Sequence, residues 1–186
     1  MNHFDSNGGD GIVVLGKSLL VFGGGTASDN GHNGVELGGC NSSHYIANLE
    51  ASGNHVAGIK VSACYGTPLS LTLRSSILVG NVEGLFFDYG AAAPAADAAA
   101  PLDIGTPDAA GSNQFAQPGT VPDAGAGVFL CNARGPMTQQ AVGDTFATAL
   151  CPSALESSCS VVPPAYVDVA YTMRAGGGAS PIVCPQ

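Results

Sequence analysis

The chain has 186 residues, 45% of them hydrophobic and only 10% charged, with a formal net charge of −9. Five basic residues against 14 acidic ones argue against nucleic acid or an anionic membrane surface as partner, since phosphate recognition needs clustered Lys and Arg. One domain is the expectation at this length, no run approaches the roughly 18 apolar residues of a membrane span, and 27 glycines with 12 prolines interrupt the chain too often for long helices.

A short phrase recurs along the chain, a glycine followed by an apolar, a variable and an apolar residue. Its copies are Gly11-Ile12-Val13-Val14, Gly34-Val35-Glu36-Leu37, Gly58-Ile59-Lys60-Val61, Gly84-Leu85-Phe86-Phe87 and Gly127-Val128-Phe129-Leu130. The first four are separated by 23, 24 and 26 residues, the near-constant period of a solenoid. On an extended strand the outer members of each triplet share a face and the middle one points away. This places Ile12, Val35, Ile59, Leu85 and Val128 in one inward column and Val14, Leu37, Val61, Phe87 and Leu130 in a second. The outward row then reads Val13, Glu36, Lys60, Phe86, Phe129.

The surroundings of the phrase repeat too. Asn7, Asn30 and Asn54 stand four residues before their glycines and Asn81 three before its own. Asparagine tolerates left-handed backbone and bonds to nearby main chain, so a stacked column of it suits a tight corner. Second apolar stretches follow at residues 19–22, 45–47 and 69–73, with 77–79 as a third. Two or three short strands per unit of about 24 residues describe a coil of a parallel β-helix.

These residues resemble the right-handed parallel β-helix repeats of the pectin-lyase-like group. The stretches 102–106, 111–115 and 141–146 are similar to an uncharacterised secreted bacterial β-helix domain, and the resemblance covers residues 2 to about 147. It implies an all-β solenoid of five to six coils over residues 1–150, followed by an irregular cap or tail over residues 151–186. It implies no activity, because that group spans lyases, hydrolases, esterases, adhesins and proteins without known chemistry. In its enzymes substrate lies along a parallel sheet, acidic residues bind calcium or act as acid and base, and a basic residue binds uronate.

Six cysteines and no Cys-x-x-Cys spacing favour an oxidising compartment over a zinc site. Cys40 and Cys64 each lie six residues beyond a repeat glycine, which puts them at equivalent places on neighbouring coils and predicts a disulfide. Cys131, Cys151, Cys159 and Cys184 are expected to pair among themselves, with their connectivity open. Residues 91–101 and 117–126 read as loops protruding from the coil. The chain opens within a coil and without a leader-like segment, so a secreted or cell-surface protein with an upstream segment is expected, and self-association through an uncapped first coil is the competing expectation.

Chemistry has to lie on the outward rows. Glu36 beside Lys60, with Asp88 nearby, are the candidate catalytic residues of a polysaccharide lyase or hydrolase, with calcium as a cofactor under that reading alone. Glu83, His32 and His55 lie close to them in sequence. An ordinary solvated ion pair explains Glu36 and Lys60 equally well. Phe86 and Phe129, read as exposed neighbours, with Lys60, are the candidate ligand-binding residues of a non-catalytic module that binds glycan or a partner protein along one face. A purely structural spacer is the third class. No other cofactor and no metal is expected.

Overall fold

The structure, a computed structural model, describes residues 1–39, 42–63, 69–89, 102–106, 108–116, 128–132, 138–140, 143–146 and 170–172. The described residues are all-β and include no helix. Three sheets carry nearly all of the strands, and the chain visits them in rotation.

Sheet A is six-stranded and holds β1 (Asn2–His3), β4 (Gly25–Thr26), β7 (Leu49–Ser52), β10 (Ile77–Val79), β13 (Gln114–Ala116) and β16 (Thr145–Phe146) in that order. Sheet B holds β2 (Ile12–Val14), β5 (Val35–Gly39), β8 (Ala57–Ala63), β11 (Glu83–Tyr89) and β14 (Val128–Asn132). Sheet C holds β3 (Val21–Phe22), β6 (Ser42–Ala47), β9 (Leu69–Arg74) and β12 (Leu102–Asp103). Every pairing within them is parallel, and each strand pairs with the one three elements later, an arrangement compatible with a β-helix-like fold. A separate parallel pair joins β15 (Thr138–Gln140) to β17 (Ala170–Thr172).

The repeated triplets are the strands of sheet B. Ile12 pairs with Val35, Val35 with Ile59 and Ile59 with Leu85, while Val14, Leu37, Val61 and Phe87 follow one another in the same register. Val35, Leu37, Ile59, Val61 and Leu85 are buried, and Ile12 and Val14 pack against the same cluster from its end. Leu49, Ala51, Leu78 and Phe115 from sheet A and Phe22, Ile46, Leu69, Leu71, Leu73 and Leu102 from sheet C, with Ala27 and Ile104 just beyond β4 and β12, complete this core. Alternation at period two sends one side chain in and the next out, so each sheet contributes one row to a shared interior.

The fifth copy of the phrase departs from expectation. Leu85 pairs with Leu130 rather than Val128, and Phe86 pairs with Cys131 rather than Phe129. The strand has slid by two residues, a shift that preserves the alternation of faces and sets Asn132 rather than Leu130 opposite Phe87.

Candidate functional site

The asparagine corner joins sheet A to sheet B and explains both halves of the repeated phrase. Asn7 donates its backbone N–H and its side-chain amide to Asn30 Oδ1, each at 3.0 Å. Asn30 does the same to Asn54 Oδ1, again at 3.0 Å, and Asn54 to Asn81 Oδ1 at 3.0 and 2.8 Å. The side-chain amide of Asn54 also donates to the Ala27 carbonyl at 3.0 Å, and that of Asn81 to the Ala51 carbonyl at 2.8 Å. Three of these four asparagines, Asn30, Asn54 and Asn81, are buried, so the ladder satisfies polar groups that water cannot reach. Asn81 keeps its place although it lies one residue closer to its glycine.

The glycine is the space the ladder occupies. A Cβ on Gly34 would lie 2.9 Å from Asn54 Nδ2, and one on Gly58 would lie 2.8 Å from Asn81 Nδ2. The corner that the sequence marks is thus structural, and ligand chemistry has to be sought on the outer sheet faces.

On sheet B the outward row of Val13, Glu36, Lys60 and Phe86 is in register. Lys60 Nζ lies 3.5 Å from Glu36 Oε1, with both side chains half-buried, while Glu36 Oε2 accepts from Asn33 Nδ2 at 3.2 Å. The structure therefore brings Glu36 and Lys60 together as an ion pair whose carboxylate is held from both sides. Asp88 pairs through its backbone with Ser62, two residues along the strand from Lys60, and its side chain lies outside the described residues. Among the described residues no three His, Cys, Asp or Glu side chains converge as metal ligands would. Phe86 departs from expectation: it is 3% exposed and is no open stacking platform. Phe129 is not its neighbour in register, and its side chain lies outside the described residues. Glu83, with the start of β11, is buried. The proposed disulfide partners Cys40 and Cys64 lie outside the described residues, as do Cys151, Cys159 and Cys184 and the side chain of Cys131. In-register pairing reaches Gly39 and Ala63, the residues immediately before the first two.

Sheet C carries the face that the sequence did not single out. His44, Ile46, Leu71 and Leu73 point inward, so Ser43, Tyr45, Ser70 and Thr72 point out. Register sets Val21 beside Tyr45, Tyr45 beside Thr72, and Thr72 beside Asp103, one continuous outward row across four strands. Tyr45 is 42% exposed and Val21 67%. The Ser70 hydroxyl donates to Ser43 Oγ at 2.8 Å, a second row alongside. At the far end Arg74 grips the neighbouring strand: Nη2 meets Asp103 Oδ2 at 2.5 Å, while Nη1 donates to the Asp103 and Leu73 carbonyls at 2.9 and 2.8 Å. The face thus grades from an apolar edge at Val21, through an aromatic ring and hydroxyls, to a fixed ion pair. The signal in the sequence was the alternation of His44, Tyr45 and Ile46 where the apolar stretch 45–47 begins.

A cavity of about 210 Å³ on sheet A, lined in part by Gly25, Thr26, Asn48, Glu50, Ser75 and Ile77, gathers none of the residues singled out above.

A buried and a half-buried titratable group flank these faces. His44 is almost fully buried, its Nδ1 accepting the Leu20 backbone N–H at 3.1 Å and its Nε2 lying 3.2 Å from Ser42 Oγ. That bond fixes the tautomer with hydrogen on Nε2, and burial holds the imidazole below its ordinary value of 6.5. Asp144 Oδ1 accepts the Asn113 backbone N–H at 2.8 Å and its side-chain amide at 3.0 Å. Burial pushes this carboxyl up to about 7, against the opposing pull of those two bonds and of the Arg74 charge.

The two groups act on stability with opposite signs. The unfolded chain takes up a proton at His44 more readily than the fold does, so stability is whole above pH 6.5 and falls as pH drops through the folded value. The folded Asp144 holds its proton more tightly than the unfolded chain, so its contribution is whole below 3.8 and is lost as pH rises through about 7. Urea denaturation from pH 4 to 8 should show His44→Gln losing the acid-side fall. Asp144→Asn should gain about 1 kcal/mol at pH 8 and nothing at pH 4, a figure that allows for solvent screening of a partly exposed group. Parallel pH profiles for wild type and both variants would contradict these assignments.

Comparison with protein-family models, with curated proteins and with solved structures finds no match for this chain.

Proposed function

We propose that the chain is a right-handed parallel β-helix and that it works outside the cell or at its surface as a non-catalytic module binding glycan along sheet C. The observation that carries this reading is the open row Val21, Tyr45, Thr72, Asp103, in which one exposed aromatic ring stands among hydroxyl groups on a parallel sheet. An aromatic face covers the apolar side of a sugar ring, and neighbouring hydroxyls and an ion pair bond to its edge. Strands about 4.8 Å apart repeat such groups along the sheet, which suits an extended polymer rather than a small compact ligand.

Catalysis by Glu36, Lys60 and Asp88 draws less support. Glycoside hydrolysis needs two carboxyl groups about 5 to 9.5 Å apart across the scissile bond, and Glu36 is engaged instead by Lys60 and Asn33.

Affinity electrophoresis through gels cast with acidic and neutral polysaccharides tests the proposal. One polymer should retard the wild-type protein. Tyr45→Ala should weaken that retardation about tenfold, the effect of losing one anchor residue worth about 1.4 kcal/mol. Lys60→Ala, on the neighbouring sheet, should leave it unchanged. Retardation abolished by Lys60→Ala and indifferent to Tyr45→Ala would overturn the choice of face, and no retardation by any polymer would favour the spacer reading.

A further inference from the structure

Sheet C is nearly free of charge. Its four strands hold two residues charged at neutral pH, Arg74 and Asp103, and these neutralise each other. The Arg74 side chain is only 15% exposed, with Nη2 committed to Asp103 Oδ2 and Nη1 to the Asp103 and Leu73 carbonyls. That guanidinium cannot turn outward to meet an acid group without deserting Asp103. Asp103 is equally closed to a cation: Arg74 holds Oδ2, and Oδ1 is buried. His44 points inward, and burial holds its imidazole below its ordinary value of 6.5. Of the other cations among the described residues, Lys60 is paired with Glu36 on sheet B, and Lys17 belongs to the connection between β2 and β3.

What the face offers instead is hydroxyl groups with bonding capacity left over. Ser70 Oγ donates to Ser43 Oγ at 2.8 Å, which leaves the Ser43 hydrogen to give and a lone pair on Ser70 to accept. This pair lies in register beside Tyr45 and Thr72. A sugar hydroxyl donates and accepts at once, so it meets both serines. A carboxylate or sulfate only accepts, and leaves the Ser70 oxygen unmet. An anionic polymer would also approach a chain of net charge −9 with no open cation on the sheet to offset the repulsion.

We infer that the ligand of sheet C is an uncharged, hydroxyl-rich polysaccharide, with one sugar ring against Tyr45 and its hydroxyl groups bonded to Ser43, Ser70 and Thr72. The inference rests on the glycan reading above and goes beyond it by fixing the charge class of the polymer. Specificity against acidic and basic polymers comes from the neutrality of the face itself.

Binding to beads coated with hydroxyethyl cellulose, galactomannan, polygalacturonate or chitosan, at low and at high salt, tests it. A neutral polymer should retain the wild type alike at both salt levels, because no ion pair is there to be screened. Polygalacturonate should bind at least about tenfold more weakly. Thr72→Lys, which sets one cation beside Tyr45, should gain retention on polygalacturonate that high salt removes. A Thr72→Lys protein still indifferent to that polymer counts against the inference, since charge would then not be what excludes it. Retention of the wild type on polygalacturonate or chitosan, lost both in high salt and in Tyr45→Ala, overturns the inference while leaving sheet C as the binding face. Silence toward every polymer overturns the glycan reading beneath it.

Discussion

Replacing Asn54 by Ala is expected to lower the free energy of unfolding by about 4 kcal/mol, and replacing Asn7 by Ala to lower it by about 1 kcal/mol. Asn54 is almost fully buried and its side chain closes four hydrogen bonds: Oδ1 accepts twice from Asn30, and Nδ2 donates to Asn81 Oδ1 and to the Ala27 carbonyl. Truncation strands the two Asn30 donors in a dry corner, at about 1 to 3 kcal/mol for each orphaned group. The lost bonds to Asn81 and Ala27 add to this, and relaxation returns part of it. Asn7 occupies the same place at an exposed end, where water can replace what it gave. Asn54→Asp should be at least as damaging as Asn54→Ala, because it keeps the acceptor, removes the donor and buries a charge against two oxygen atoms. Chemical denaturation read by circular dichroism checks all three. Equal losses at positions 7 and 54 would mean that the ladder contributes little and that the apolar columns alone hold the coils in register.

The ladder and the columns were legible in the sequence because both are enforced at every coil. A side chain inside a stack has no freedom to change type, so Val35, Ile59 and Leu85 announce themselves, as do Asn30 and Asn54. The second corner was not legible, since Ser76, Asn113 and Asp144 do one job with three residue types at unequal spacing. The fifth triplet misled for a different reason. Period-two alternation is unchanged by a two-residue slip, so Gly127-Val128-Phe129-Leu130 fits either register and only the coordinates choose the one that sets Cys131 beside Phe86. Outward positions were the least legible of all. The pattern says that Glu36, Lys60 and Phe86 share a row, which they do, but not that Phe86 is covered while Tyr45, read as part of an apolar stretch, is open. Burial of an outward residue depends on what lies over the sheet, and alternation along one strand carries no record of that.

Gly34→Ala should cost about 3 kcal/mol or more, although the change adds a single methyl group and removes a flexible residue. Its cause is space rather than backbone conformation. The new Cβ would stand 2.6 Å from the Ala27 carbonyl oxygen, 2.7 Å from that of Gly58 and 2.9 Å from Asn54 Nδ2. One of these neighbours is main chain of the adjoining strand β8, one is main chain of the same corner just beyond β4, and the third is the ladder itself, so no side chain can swing aside to make room. Relief requires moving one coil from the next, which lengthens the Asn30 to Asn54 bonds at the moment the core columns are pulled apart. Gly58→Ala should behave alike, with Asn81 Nδ2 and the Gly84 carbonyl both at 2.8 Å. Gly23→Ala provides the comparison, for nothing lies within 4 Å of its Cβ position, and its effect should stay within about 0.5 kcal/mol. Denaturation midpoints for the three variants decide the matter. Tolerance of alanine at 34 and 58 equal to that at 23 would show that the coils are spaced more loosely than this corner allows, and the account of why glycine and asparagine recur together would fail with it.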